Sequence, residues 1–108
     1  MNEEEKQRKR NAFLVAYEIY KIVEGGSYNR TVEVMPQIVE KYRINHIQFK
    51  PLIDDLINNG ILQKAKAQRC VRFTTRGYNL IHDILQNPDI SPEFYFPDIS
   101  DLVRSLLT

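Results

Sequence analysis

The sequence predicts a mainly α fold with a small β-hairpin, an α+β domain, and three observations carry that expectation. Apolar residues recur at three- and four-residue spacing in several stretches, most clearly between Asn45 and Leu62. Capping or stop residues bound these stretches. Near the middle, ILQKAKAQRCVRFT instead holds two short β-prone runs joined by a polar, basic connection.

With 108 residues, the chain is long enough for one core and too short for two. Hydrophobic residues at 43% and charged residues at 27% argue against global disorder. The single cysteine, Cys70, excludes an intramolecular disulfide, and with only His46 and His82 beside it no metal or other cofactor is expected. No apolar run approaches the ~20 residues of a membrane span. The start MNEEEKQRKRNAF is charged where a signal peptide turns apolar, so the expected location is cytoplasmic, with no membrane partner. Divided along the chain, the net charge of +1 is uneven: −1 over residues 1–40, +6 over 41–78 and −4 over 79–108. A basic middle points to an anionic partner for one face.

Residues 3–10, EEEKQRKR, place acids ahead of bases and begin a first helix. From Ala12 to Val23 that helix is apolar on nearly every side and must be covered on two. One cover is the domain's own core; the other is either a second protomer or the chain's own tail. Gly25-Gly26 ends the helix. TVEVM suits a short strand, and Pro36 fits the first position of a helix running PQIVEKY to Tyr42. Arg43 and Ile44 turn the chain into Asn45.

The next helix has both ends marked. Asn45 can accept a backbone N–H, Gln48 can reach back as in a capping box, and Gly60 supplies a left-handed stop. Phe49, Leu52 or Ile53, and Leu56 form its apolar face; His46, Lys50, Asp54 and Asn58 lie on the other. Strands over Ile61 to Lys64 and Cys70 to Thr74 follow as a hairpin. Thr75 is placed to cap the helix RGYNLIHDILQ, which Asn87-Pro88 stops. The tail opens with extended backbone from Pro92 to Pro97 around Phe94, Tyr95 and Phe96. Asp98 or Ser100 then caps a last helix with Leu102, Val103, Leu106 and Leu107 on one side. So apolar a terminus implies docking.

The order helix, strand, helix, turn, helix, hairpin, helix contains a helix-turn-helix and a wing. More specifically, NHIQFKPLIDDLINNGIL followed by VRFTTRGYNLIHDIL resembles the small archaeal-type winged-helix DNA-binding regulators. The resemblance rests on Leu56, Ile57, Asn58, Asn59, Gly60, Ile61 and Leu62 for the end of the recognition helix. Thr74 or Thr75, Arg76 and Gly77 match the end of the wing. It covers roughly residues 12–87, and it implies a winged helix-turn-helix domain over 1–87 with a C-terminal extension, 88–108, carrying an extra helix. Three features depart from the family pattern: a longer segment 31–44, the terminal segment itself, and Asp54-Asp55 within the recognition helix.

The function implied is a DNA-binding transcriptional regulator that puts the helix at about 45–59 in the major groove and a basic wing at about 61–74 on the backbone. Asn45, His46, Gln48 and Lys50 are the candidates on the helix, and Lys64, Lys66, Arg69 and Arg72 on the wing. Gln48 can bond adenine bidentately or close the capping box; Ile47 can meet a thymine methyl or complete the core. Alternation along the hairpin, with Val71 and Phe73 pointing inward, leads us to expect Lys64, Lys66 and Arg72 on one basic face. A homodimer through residues 12–23 and 98–107 is expected. The alternative is a winged-helix module that binds protein through Phe94 to Phe96 and the last helix. No phosphate loop or nucleophile elbow suggests an enzyme. Cys70 reads as a small buried side chain, and His82, beside Asp83 on a polar face, as inert.

Overall fold

The computed structural model describes residues 2–89, 96 and 99–108. It is mainly helical with one small antiparallel sheet. The elements run α1 (Glu3–Val23), β1 (Val32–Glu33), a 3-10 helix (Pro36–Tyr42), α2 (His46–Asn58), β2 (Leu62–Lys64), β3 (Cys70–Phe73), α3 (Thr75–Gln86) and α4 (Ser100–Leu107). The sheet order is β1-β3-β2, so the strand before the 3-10 helix joins the hairpin on its open side.

Helix α1 is the centre of the core. Asn2 caps its start by accepting from the Glu5 N–H, and Glu3 to Glu5 sit against the positive end of its dipole. Ala12, Phe13, Val15, Ala16 and Ile19 are fully buried, each at 0% exposure. Their covers come from the same chain: α2 and the 3-10 helix, α3 and β1, and the C-terminal segment. Phe96, also at 0%, meets the Phe13 ring edge-on at 5.3 Å between centroids. Ile99 and Val103 complete that cover, so the tail docks in cis. Ile99 stands at the cap position of α4 and makes no side-chain capping bond, and Ser100 is the first helical residue, not the cap. Asp98 and the extended run through Phe94 and Tyr95 lie outside the described residues.

Burying α1 also buries one charge. The Glu18 carboxylate, its side chain 11% exposed, is held by Lys21 at 2.9 Å and Lys41 at 3.0 Å and accepts from the Tyr42 hydroxyl at 2.8 Å. Burial alone pushes its pKa up, but these three partners outweigh it and leave the carboxyl below its usual value. The same burial, followed by the carboxylate's presence, raises the Tyr42 phenol. This cluster fastens the 3-10 helix to α1.

The turn into α2 follows from local chemistry. Arg43 takes the left-handed conformation at φ 63°, and Ile44, 2% exposed, anchors the corner. Asn45 then accepts from the Gln48 N–H at 2.9 Å while the Gln48 side-chain oxygen accepts from the Asn45 N–H at 3.2 Å, a complete capping box. Gly60, at φ 73°, ends the segment. Thr74, not Thr75, caps α3: its hydroxyl accepts from the Gly77 N–H at 2.9 Å and donates to the Gly60 carbonyl at 2.6 Å. The cap falls one residue earlier than the sequence suggests because that hydroxyl also closes the turn after α2.

Among the glycines the closest approach is at Gly77, where a Cβ would lie 2.0 Å from the Ile61 carbonyl oxygen. We therefore expect Gly77→Ala to destabilise by about 3 kcal/mol or more, because backbone must move on both sides. Gly26→Ala is the control, since its Cβ would meet only the Val23 carbonyl at 3.7 Å. Its urea midpoint should stay near that of the unmodified protein. A second expectation concerns Glu18. A depressed carboxyl pKa contributes stability fully present above its unfolded value, near 4.5, and lost as pH falls through the lower folded value. Glu18→Gln should therefore be less stable than the parent at pH 7 and converge on it in acid. Equal stability differences at pH 7 and pH 3 would refute this.

Candidate nucleic-acid interface

A groove of about 930 Å³ runs between α2 and the hairpin. Its floor is apolar, formed by Val34, Phe49, Ile53 and Val71 with the more exposed Met35 and Ile57. Its rim is charged: His46, Lys50 and Asp54 come from α2, and Lys64, Lys66 and Arg69 from the hairpin. These six ionic or ionisable side chains come from two elements held at fixed distance by α2 packing on β2 and by the Thr74 bonds to Gly60 and Ile61. Arg76 fixes the same corner by donating to the Asn59 carbonyl at 2.6 Å, supplying a cation at the negative end of α2.

The hairpin departs from the expected arrangement. Leu62 pairs with Phe73, Gln63 with Arg72, and Lys64 with Val71. Directly opposed residues share a face, so Lys64 lies on the side of Val71 and Phe73, and Arg72 lies on the other with Gln63. The expected single basic face holding both Lys64 and Arg72 is therefore corrected. Counting alternation within each strand could not reveal it, because the register between strands decides which residues share a side. Lys64 is exposed although Val71 opposite it is buried, and it borders the groove. Arg69, at φ 62°, turns the hairpin tip toward the same groove. Arg72 is half-buried on the outer face, its Nε without a hydrogen-bond partner among the described residues.

On α2 the first-turn candidates divide. Asn45 and Gln48 are occupied by the capping box. The bond from the Asn45 N–H takes one of the two acceptor positions on the Gln48 oxygen, so a bidentate contact with adenine has to share that oxygen with the cap. Lys50 is 3.0 Å from Asp54, one turn on. Asp55 forms a two-pronged ion pair with Arg8 of α1, at 2.6 and 2.8 Å. The two aspartates that depart from the family pattern are thus each matched by a cation. Ile47 does not complete the core: it is 86% exposed.

Two other side chains take places the sequence did not signal. His82 is not on an inert polar face; its Nδ1 is 2.8 Å from the Tyr20 hydroxyl, and its ring stacks on Tyr78. Burial, with Tyr78 beside it, pushes the Tyr20 phenol up to about 12. Cys70 is half-buried and lines the groove instead of the core. No helix among the described residues is long and apolar enough to cross a membrane, and among them no three His, Cys, Asp or Glu side chains converge to hold a metal ion.

The Arg8–Asp55 pair yields a direct check. Half of the Arg8 side chain is exposed, so Arg8→Ala should lower stability by only about 0.5–1 kcal/mol. A double-mutant cycle with Asp55→Asn should return a coupling of that size.

Comparison of the chain with family models, curated proteins and solved structures returns no match.

Proposed function

We propose that this protein is a winged helix-turn-helix regulator of transcription that binds double-stranded DNA through α2 and the hairpin. The observation that carries this is the groove between them, whose hairpin side presents Lys64, Lys66 and Arg69 across from His46 and Lys50. A sugar-phosphate strand offers the matching anionic ridge. With α2 in a major groove roughly 12 Å wide, the strand bordering it runs between helix and hairpin. The element order and the β1-β3-β2 sheet support the winged-helix reading. So does the neutralisation of Asp54 and Asp55 by Lys50 and Arg8. Lys64, Lys66 and Arg69 supply sequence-independent affinity in this reading; Arg72, on the outer face, does not.

Regulators of this kind read paired half-sites as dimers. A homodimer through residues 12–23 and 98–107 has Ile22 and Leu107 as its exposed apolar contacts, at 38% and 52%. Sedimentation equilibrium that finds only a 12.7 kDa species at tens of micromolar rules this dimer out.

The DNA reading is tested by titrating random-sequence duplex at several salt concentrations. Binding should weaken steeply with salt, and Lys64→Ala, Lys66→Ala, Arg69→Ala together should reduce the slope by about 2 to 3. Arg72→Ala should leave the slope unchanged. Absence of duplex binding at low salt favours the alternative, a winged-helix module that binds protein.

A further inference from the structure

We propose that Ile47 reads the 5-methyl group of a thymine, giving the protein a thymine requirement at one base pair of its DNA site. The inference rests on the DNA-binding reading above and goes beyond it by naming a specificity-determining side chain and its target. Ile47 is 86% exposed, against 38–52% for Ile22, Met35 and Leu107. Its position explains why. Successive residues of a helix turn by about 100°, so Phe49, Leu52, Ile53 and Leu56 face the core and Ile47 falls opposite them, with Pro51, Asp54 and Asn58 along the same line. The core does not require an isoleucine there.

Three of the polar residues around it are engaged elsewhere. Asn45 and Gln48 bond each other's backbone, Lys50 pairs with Asp54, and His46 borders the groove. The outermost point of the helix start is therefore an apolar tip. Pro51 has no N–H to give the Ile47 carbonyl and fixes its own φ, so the turn that carries the tip is stiff. Along the major groove, the apolar feature that distinguishes one base pair from another is the thymine methyl. A branched aliphatic side chain can prefer that group and cannot replace the hydrogen bonds that select guanine, adenine or cytosine.

The test starts from duplexes that the protein itself recovers from a random pool. Each recovered duplex is resynthesised with deoxyuridine in place of one thymine at a time, which removes a methyl and leaves every hydrogen bond. Affinities are then measured for the parent, Ile47→Val and Ile47→Ala. At one thymine, loss of the methyl should weaken the parent and Ile47→Val about four-fold, the value of burying one methyl-sized group. The same replacement should leave Ile47→Ala unchanged. If no thymine shows the effect, or if the penalty persists undiminished in Ile47→Ala, the proposal is overturned while DNA binding stands. Recovery of no duplex at all overturns the DNA reading and this proposal together.

Discussion

A helix that is apolar around nearly its whole circumference cannot sit on a surface, and the burial of α1 is the constraint on which the rest of this fold depends. Its residues Phe13, Val15 and Ile19 are fully enclosed, and α2, the 3-10 helix, α3, β1 and Phe96 supply the enclosure. Cutting a large side chain such as Phe13 to alanine in so closed a site typically costs about 3–5 kcal/mol. The three-stranded sheet is too short to form its own core; it is held because Val32, Val71 and Phe73 join the cluster around α1. The C-terminal segment fills the remaining side with Phe96, Ile99 and Val103.

The groove is a consequence of this arrangement. Helix α2 packs against α1 through Phe49, Leu52 and Leu56, which leaves its opposite face to solvent and one flank toward the hairpin. The core still holds Val71, opposite Lys64, but residues 66–69 at the hairpin tip are exposed and carry cations into open space. A sheet that ended with the core would offer no such opening. The gap therefore combines an apolar floor, where two packed elements diverge, with a basic rim, where the tip projects.

Acidic residues in the middle of α2 conflict with the proposed anionic partner only when they are unpaired. Arg8 reaches Asp55 from a residue 47 positions away, so α1 carries part of the electrostatic balance of α2 as well as the core. The pair Lys50–Asp54 is local and more exposed. It pairs Lys50 locally, which leaves more of the groove's cationic weight with Lys64, Lys66 and Arg69 of the hairpin.

The sequence by itself determined the helices, the box that caps α2 and the hairpin, because those depend on neighbours within four residues. The capping box at Asn45, the left-handed stop at Gly60 and the entry of Pro36 into a short helix are all local physical chemistry. What only the tertiary structure decided depended on contacts distant in sequence. Strand register put Lys64 and Arg72 on opposite faces, a double role moved the α3 cap from Thr75 to Thr74, and Arg8 matched Asp55. The cover of α1 was also undecided between tail and partner, since amphipathicity states that a face must be buried but not by what; packing placed Phe96 there.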